Sequence, residues 1–342
     1  MNDIQKKSLE KYLAQALLAD KVEILQAALL SGGAVQENWA LDLQVTGGVH
    51  GSTQGGRLNT VLRCDSPTAG VAISHGRAQE FALLQTVFNA GVTVPQPLCL
   101  CTDTSVFGRP FFVMRRIAGT AAGHVLVKNS AYAPDRVELA HRLGRELARI
   151  HSIKPPVEAL DFLHTYTESP ALYRIHTHRN YLDQHHTAYP ALEWGLRWLE
   201  RHAPARGLIT LAHGDFRTGN YMVDEKGLTG ILDWEFAGWS DPLEDIGWFC
   251  AKCWRFGQDD LQAGGIGMRE HFYQGYEAES GRKIDRDQIH YWEVMAHVRW
   301  AVVAIEQAQR FCSGQENSLL LALTGHIVPE LEWEILNMTE HN

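Results

Sequence analysis

Three polar residues near the middle of the chain are spaced so that a short loop and the strand after it can present them. The segment Leu211-Ala-His-Gly-Asp-Phe-Arg-Thr-Gly-Asn220 is followed by Ile231-Leu-Asp-Trp-Glu235, so Asp215, Asn220 and Asp233 stand five and thirteen residues apart. In phosphoryl transfer from ATP, one carboxylate orients the attacking hydroxyl, and an amide with a second carboxylate holds Mg²⁺. The spacing therefore predicts a catalytic loop over residues 211–220 and a metal-binding segment over residues 231–235.

The residues around this set follow a known order. Protein kinases carry H-R-D-x-x-x-x-N followed by D-F-G. Here His213-Gly-Asp215 matches the first element, Asn220 matches the asparagine, and Asp233-Trp-Glu235 replaces D-F-G. Together with Asp241-Pro-x-x-Asp245, this motif resembles that of the aminoglycoside phosphotransferase and choline kinase-like family. The string from Trp234 to Gly257 resembles its broad bacterial branch, which includes kinase-like domains fused to acyl-CoA dehydrogenases.

The resemblance implies an α+β, bilobal protein kinase-like fold with ATP in the crevice between the lobes. A small antiparallel-sheet N-lobe is expected over residues 1–116, and a larger, mainly helical C-lobe over residues 117–342. Asp215 is then expected to orient the acceptor hydroxyl, and Arg217 to face the phosphates. Asn220 and Asp233 are expected to bind Mg²⁺ through oxygen, the ligand that this hard cation requires.

A strand upstream carries the cation expected at the nucleotide. Asn59–Cys64 has the pattern of a strand, and Arg63 stands where kinases place the lysine of V-A-I-K. Arginine supplies a permanent charge and a fork of donors for phosphate oxygens. Glu80 begins the apolar stripe of a helix predicted over residues 76–90, where kinase folds use a glutamate to pair with that cation. We predict an Arg63–Glu80 pair; a solvent-exposed Glu80 is the alternative.

Two backbone segments complete the predicted nucleotide site. After a strand predicted over residues 39–45, Gly47, Gly48 and Gly51 would let backbone N–H groups approach phosphate oxygens. A plain hairpin fits the same glycines. A strand over residues 111–117 enters the expected hinge, where the backbone of Met114 to Arg116 is expected to hydrogen-bond adenine.

The remaining pattern is largely helical. Apolar periodicity predicts N-terminal helices over residues 4–30, ending at Ser31-Gly-Gly33, and a further helix over residues 136–151. Residues 155–205 are aromatic, charged and rich in histidine, and they are interpreted as inserted helices that shape the acceptor pocket. Pro242 and the carboxylates beside it predict a helix start capped by Asp241, with Asp245 bracing the catalytic loop.

Charge and composition limit the classes of partner that the chain is expected to bind. The chain has 342 residues, is 45% hydrophobic and carries a formal net charge of −9. It therefore lacks the basic footprint of nucleic-acid binding or of attachment to an anionic membrane, and the acidity favours a neutral or cationic acceptor. No apolar run approaches the roughly 20 residues that span a bilayer, and Met1–Ala19 has the pattern of an amphipathic helix rather than a signal peptide. A cytoplasmic location is expected.

Clusters of cysteine and histidine residues raise the question of metal binding. Cys99-x-Cys101 and Cys250-x-x-Cys253 are compatible with zinc, but thiols in apolar runs usually act as small core residues. A histidine group, comprising His176, His178, His185 and His186, is interpreted as part of a solvated helical stretch rather than a metal or phosphate patch. His213 is expected to be a structural member of its loop. A metal-dependent hydrolase using His213 and Asp215 would need a ligand cluster that the spacing does not supply.

The sequence thus favours an ATP- and Mg²⁺-dependent kinase that transfers the γ-phosphoryl group to a hydroxyl of a small molecule. A catalytically inactive nucleotide-binding module is the alternative, because Arg63 departs from the kinase lysine and the glycine pattern is irregular. Aminoglycosides, choline-like amines and hydroxyacyl thioesters all remain open as acceptors, since fold does not fix substrate.

Overall fold

The computed structural model describes residues 1–30, 36–51, 56–65, 74–185, 187–205 and 207–340, and the chain divides into two compact units. The first unit contains Met1–Thr120, Pro156–Phe162 and Tyr221–Ala237. The second contains Ala121–Pro155, Leu163–Asn220 and Gly238–Asn342. The segment over residues 231–235 therefore lies in the first unit, and the loop over residues 211–220 lies in the second.

The first unit is built on an antiparallel sheet. Its five strands are β1 (Lys21–Leu29), β2 (Gln36–Thr46), β3 (Arg57–Asp65), β4 (Pro97–Cys101) and β5 (Phe111–Arg115), in the order β1-β2-β3-β5-β4. Every pairing is antiparallel, and the register opposes Asn38 to Arg63 and Arg63 to Phe112. The predicted strands over residues 39–45, 59–64 and 111–117 are thus confirmed, with ends that differ by a few residues.

The predicted N-terminal helices over residues 4–30 are wrong in their second half. Helix α1 (Asp3–Ala16) has a capping box between Asn2 and Gln5 and buries Leu9 and Leu13, but the next regular element is strand β1. The backbone of Leu18 has a φ of 51°, which an α-helix cannot contain. The predicted end at Ser31-Gly-Gly33 lies outside the described residues.

The other elements of the first unit are short. They are α2 (Gly48–Gly51), α3 (Arg77–Asn89), α4 (Thr104–Phe107) and a hairpin of two strands, β7 (Tyr221–Asp224) and β8 (Gly227–Ile231). Helix α3 packs on β4 and β5 and confirms the helix predicted over residues 76–90. Its first turn buries Glu80, so this carboxylate faces the protein and not the solvent.

The second unit is mainly helical. Its helices are α5 (Gly123–Lys128), α6 (Arg136–Ile150), α7 (Pro170–Asp183), α8 (Pro190–Arg201), α9 (Pro242–Cys250), α10 (Arg269–Ser280), α11 (Arg286–Cys312), α12 (Leu319–Thr324) and α13 (Val328–Thr339). Strands β6 (Thr210–Ala212) and β9 (Gly238–Ser240) pair antiparallel. An apolar core joins α7, α8, α11 and α13, with Trp292 and Leu196 fully buried. The predicted combination of a small antiparallel sheet with a mainly helical part is confirmed.

None of the helices in the described part of the chain combines the length and the apolarity needed to cross a bilayer.

Candidate active site

The carboxylate of Asp215 is held by three different donors in the second unit. Asn220 Nδ2 donates to Asp215 Oδ2 at 2.6 Å, and the indole Nε1 of Trp248 donates to Oδ1 at 2.8 Å. Arg217 Nε lies 3.1 Å from Oδ1 and 3.2 Å from Oδ2. Only 8% of Asp215 is exposed. These three donors fix the orientation of the Asp215 carboxylate.

Asn220 has its amide nitrogen directed inward. Its Nδ2 donates both to the carboxylate and to the backbone oxygen of Asp215, at 2.6 Å and 2.9 Å. The amide oxygen Oδ1 accepts no hydrogen bond among the described residues. It is therefore the atom of Asn220 that suits a hard cation.

Arg217 lies between a carboxylate and an aromatic face. Its guanidinium carbon is 4.5 Å from the centre of the Trp254 ring, while its Nε contacts Asp215. This cation–π contact holds the long side chain in one direction. Arg217 thus lies in the loop over residues 211–220, beside Asp215, and its predicted contact with phosphate stays a prediction.

Asp245 organises the backbone of the loop, as predicted. Its two carboxylate oxygens accept from the N–H groups of His213 and Gly214 at 2.6 Å and 2.9 Å, and Oδ2 is 3.2 Å from His151 Nε2. Burial raises the pKa of Asp245, but the bonds from His151 and the His213 amide outweigh it and leave the pKa below its usual range. His213 is fully buried and its Nδ1 accepts from the N–H of Asp215, which fits the structural role predicted for it.

The start of α9 is capped as its sequence predicts. Asp241 accepts from the N–H of Leu243 at 2.9 Å, and Pro242 occupies the first turn. This cap fixes the helix that carries both Asp245 and Trp248. The geometry of Asp215 therefore depends on a helix that begins 27 residues later in the chain.

A chain of alternating charges lies in the first unit. Arg63 Nε is 2.9 Å from one oxygen of Glu80, which confirms the predicted pair, and Arg63 Nη2 is 2.8 Å from Asp233 Oδ1. Arg77 also contacts Glu80 and lies 3.0 Å from Asp65 Oδ1. Burial alone disfavours the charge on Arg63, yet Glu80 and Asp233 raise its pKa well above the usual range. The guanidinium is therefore a fixed cation in contact with the carboxylate predicted to bind metal.

Asp233 has a backbone conformation that few residues adopt. Its φ is 68°, in the left-handed region where asparagine, aspartate and glycine are the tolerated residues. The segment is anchored on both sides, because Ile231 N donates to Thr93 O and His75 N donates to Glu235 O. Strain of this kind persists only where the surroundings hold it, and it recurs at functional sites. A third of the Asp233 side chain is exposed, so a ligand can reach it.

The predicted nucleotide glycines are not brought to Arg63. Gly47 follows strand β2, whose Thr46 pairs with Lys21, whereas Arg63 pairs with Asn38 near the other end of that strand. Eight residues of extended chain separate Thr46 from Asn38, or roughly 25 Å at the rise of a strand. Gly47 and Gly48 instead pack against Leu18 and Asp20. Residues 31–35, which stand between β1 and β2 in the chain, lie outside the described residues.

Two backbone N–H groups of the predicted hinge, those of Arg115 and Arg116, already donate hydrogen bonds within the protein. Met114 opposes Val61 within the sheet, Arg115 N donates to Gln96 O, and Arg116 N donates to Asn59 O at 2.9 Å. The Arg116 side chain is 2.6 Å from Asp42 Oδ1. The backbone N–H groups of Arg115 and Arg116 therefore already have acceptors within the protein.

The cysteine and histidine groups have separate environments. Cys250 is buried on α9, where burial raises the pKa of its thiol to about 12. His176 lies 3.1 Å from Glu168, whereas His178 is buried, and His186 lies outside the described residues. Among the residues that the structure describes, no three His, Cys, Asp or Glu side chains form a metal-binding cluster.

Two residues of the site were not predicted from the sequence. Trp248 reaches Asp215 from 33 positions away, and Arg77 shares Glu80 with Arg63. The signal for Trp248 was present in the spacing, because it stands three residues after Asp245 on one face of α9. The signal for Arg77 was equally local, since it precedes Glu80 by three residues on α3.

Comparison with known proteins agrees with this architecture. Residues 54–282 match the model of the phosphotransferase enzyme family. Acyl-CoA dehydrogenase family member 10 of Mus musculus is 26% identical over 280 residues. That match covers 76% of this chain and 26% of the mouse protein, so the chain spans about a quarter of the length of this relative.

Solved structures give the same fold. A protein of Ralstonia eutropha JMP134, provisionally described as an aminoglycoside phosphotransferase, has a TM-score of 0.76 at 21% identity, with 98% of each chain covered. Spectinomycin phosphotransferase, solved with ADP and spectinomycin, has a TM-score of 0.64 at 14% identity, with 99% of each chain covered. These likenesses confirm the predicted protein kinase-like fold.

Proposed function

Because the chain belongs to the phosphotransferase enzyme family, we propose that it transfers the γ-phosphoryl group of ATP to a hydroxyl of a small molecule, with Mg²⁺ as the cation. The observation that carries the proposal is the carboxylate of Asp215, which Asn220, Trp248 and Arg217 orient. Kinase folds use a carboxylate of this kind to position the attacking hydroxyl. The ADP held by spectinomycin phosphotransferase supports the choice of an adenine nucleotide.

Asp215 acts on the acceptor. Its carboxylate accepts a hydrogen bond from the hydroxyl, whose oxygen attacks the γ-phosphorus. The bond from that phosphorus to the β–γ bridging oxygen breaks, ADP leaves, and the hydroxyl proton passes to Asp215. Because the transition state is loose, the orientation of the hydroxyl contributes more than the basicity of Asp215.

The residues present suit Mg²⁺. Asn220 offers an amide oxygen and Asp233 a carboxylate, and Mg²⁺ is commonly bound by one or two carboxylates together with water and phosphate oxygens. When bound, the cation would neutralise charge that develops on the phosphates. Asp233 has one oxygen against Arg63, which leaves its other oxygen for the cation.

Two arginines offset phosphate charge in this proposal. Arg63 is held by Glu80 and Asp233, and Arg217 is held by Asp215 and the Trp254 ring. Each guanidinium is therefore fixed in direction before substrate binds. Cations that need no reorganisation stabilise a charged transition state most effectively.

The test is Asp215→Asn, which keeps the shape of the side chain and removes its charge. We expect turnover of Mg·ATP with a phosphorylated acceptor to fall by roughly 10²–10⁴. ATP affinity should change little. The exposed Asp260→Asn, which also removes one carboxylate from the second unit, is the matched control. Full activity in Asp215→Asn would refute the role.

A nucleotide-binding module without turnover is the second candidate, and one contact favours it. Arg63 occupies an oxygen of Asp233 at 2.8 Å, and it replaces the lysine of the kinase pattern. To separate the two, the protein is incubated with Mg·ATP and a metabolite extract, and new phosphorylated species are sought by mass spectrometry. ATP binding with no product that depends on Asp215 would favour the module.

A further inference from the structure

The segment that follows α9 is folded around one buried arginine. Residues 252–267, which we call the support segment, begin with a short 3₁₀ helix at Lys252–Trp254 and continue as a series of turns. Arg255 Nε and Nη2 donate to Cys250 O at 3.1 Å and 2.7 Å, and its Nη1 donates to Asp259 O at 2.9 Å. Only 9% of Arg255 is exposed. The rigid fork of a guanidinium thus fixes the first half of the support segment.

Two glycines let the end of the support segment approach its neighbours closely. Gly264 and Gly265 have φ values of 58° and 74°, in the left-handed region that favours glycine. A Cβ at Gly265 would collide with the backbone oxygen of Arg255, and one at Gly264 would collide with the Thr218 hydroxyl. The end of the segment therefore packs both on its own arginine and on the loop over residues 211–220.

Thr218 is tied to the support segment by a buried hydrogen bond. Its Oγ1 donates to Gly264 O at 2.7 Å across 46 positions of the chain, and Thr218 is fully buried. Thr218 stands in a turn in which Asn220 N donates to Arg217 O at 3.0 Å. This turn carries both the arginine expected at the phosphates and the amide expected at Mg²⁺. The bond from Thr218 therefore fixes the backbone between these two residues.

Arg217 is tied to the same segment through an aromatic ring. Its guanidinium carbon is 4.5 Å from the centre of the Trp254 ring, and its Nη1 lies 3.4 Å from Thr218 O. Its Nε contacts Asp215. Beside the contact with Asp215, Arg217 is thus oriented by the support segment itself and by the threonine that is tied to it.

We propose that the support segment positions the loop over residues 211–220 for phosphoryl transfer. Thr218 acts through the turn that carries Arg217 and Asn220. Trp254 acts through its ring face on Arg217. The proposal rests on the proposed function, in which these two side chains face the phosphates and Mg²⁺. Charged groups stabilise a transition state best when they are held in direction beforehand, and a displacement of about 1 Å can cost roughly 10² in rate.

The hydrogen bond is tested with a pair of threonine variants. Thr218→Val keeps the shape of the side chain and removes its donor, whereas Thr218→Ser keeps the donor. With Mg·ATP and the metabolite extract, we expect the saturating rate to fall about 10- to 100-fold in Thr218→Val, with KM for ATP changed by less than about threefold. Thr218→Ser should recover most of the rate. Thr324→Val, which removes a hydroxyl that donates to Leu320 O on α12, is the matched control.

The aromatic contact is tested with a pair of tryptophan variants. Trp254→Leu removes the ring, whereas Trp254→Phe keeps an aromatic face. Because a cation–π contact needs such a face, we expect the rate to fall about tenfold in Trp254→Leu and less in Trp254→Phe. Trp333→Leu, which removes an exposed ring from α13, is the matched control. Thermal melts establish that each variant is folded.

The order of the Arg217 side chain is measured without any turnover. Nitrogen-15 NMR detects the Nε–H groups of arginine, and the signal missing from Arg217→Lys identifies that of Arg217. In the unaltered protein this N–H should be protected from exchange with water, because it donates to Asp215. We expect exchange to be faster by about tenfold or more in Thr218→Val and in Trp254→Leu, since both variants loosen the side chain. Thr218→Ser should keep the protection.

The two readouts separate this proposal from the proposed function. Faster exchange in Thr218→Val and Trp254→Leu, with no phosphorylation of any extract component by the unaltered protein, would support the support segment and count against the kinase. Phosphorylation that both variants leave unchanged would support the kinase and overturn the role of the segment. Equal losses in Thr218→Val and Thr218→Ser would overturn it as well, because the donor would then have no part.

Discussion

Arg63 Nη2 lies 2.8 Å from Asp233 Oδ1, although 170 positions separate the two residues in the chain. The contact joins the strand cation to the carboxylate that is proposed to hold Mg²⁺. Because Glu80 contacts the same guanidinium, Arg63 is shared between two anions. Replacing Arg63 should therefore lower the free energy of unfolding. Replacing Asp233 should instead change the dependence on Mg²⁺.

Asp233→Asn should remove the response to Mg²⁺ and leave the fold intact. Asparagine tolerates the positive φ of 68°, so the backbone needs no rearrangement. We expect at least a ~100-fold loss of Mg²⁺-dependent turnover, the scale of losing a metal's charge stabilisation. Magnesium titrations of ATP binding and turnover measure it, with Asp224→Asn in the same unit as control. An unchanged Mg²⁺ dependence would remove Asp233 from the metal site.

Arg63→Met should destabilise the protein. The substitution leaves Glu80 buried with Arg77 as its remaining partner, and breaking a buried ion pair typically costs about 3–5 kcal/mol. Because Arg77 persists, we expect the lower end of this range, about 3 kcal/mol. Urea unfolding measures the change, and Arg57→Met on the exposed start of β3 is the control. Equal stability of the two variants would show that Arg63 contributes no net stabilisation.

Asp241→Asn should stabilise the protein at high pH but not at low pH. Burial, assisted by Glu244, raises the pKa of Asp241 to about 6, although the Leu243 amide opposes the shift. Since the folded pKa exceeds the unfolded value near 4, the stability linked to this carboxyl is present below pH 4 and lost as pH rises to 6.

Asparagine keeps the helix cap and stays neutral throughout. The gain at pH 8 should be on the order of 2 kcal/mol and should disappear at pH 4. Unfolding at the two pH values measures it, and Asp285→Asn, the exposed cap of α11, provides the comparison. A gain of the same size at both pH values would refute the titration of Asp241.

Gly144→Ala should weaken the contact between α6 and α10. A Cβ at Gly144 would collide with the carbonyl oxygen of Phe272, and one at Gly275 would collide with that of His141. Backbone cannot yield as a flexible side chain does, so overpacking should cost about 1–3 kcal/mol. Chemical denaturation measures it. Gly238→Ala, where a Cβ meets nothing within 4 Å, should be close to neutral, and an equal loss there would contradict the packing argument.

The strands and helices whose burial follows one period were predicted from the sequence, and β1 shows why the N-terminal region was not. Val22, Leu25 and Leu29 are spaced as on a helix, yet Val22 and Ile24 are the residues that the strand buries. Leu25 and Leu29 are exposed. A short apolar run satisfies both periods, and only its pairing with β2 decides between them.

Within the site, the contacts that the kinase-like motif implies were predictable, including the pair of Arg63 with Glu80 and the bracing of the loop by Asp245. The spacing identified Asp215 and Asn220, and helix-start chemistry identified Asp241 and Asp245. The spacing from Asp245 places Trp248 on the same face of α9, but its hydrogen bond to Asp215 also depends on the direction in which the helix leaves its cap. Gly47 does not lie at the Arg63 end of β2 for a related reason, because composition does not reveal at which end of a strand a turn lies.

The left-handed backbone of Asp233 makes the consequences of mutation uneven at this position. Asparagine or glycine could replace it with little strain and would remove the charge, whereas a branched or bulky residue would also disturb the fold. The proposed catalysis can therefore be lost here by a substitution that preserves the fold. A chain of this type with asparagine at position 233 would be expected to remain well folded and to bind partners or nucleotide as a scaffold, with its chemistry silenced.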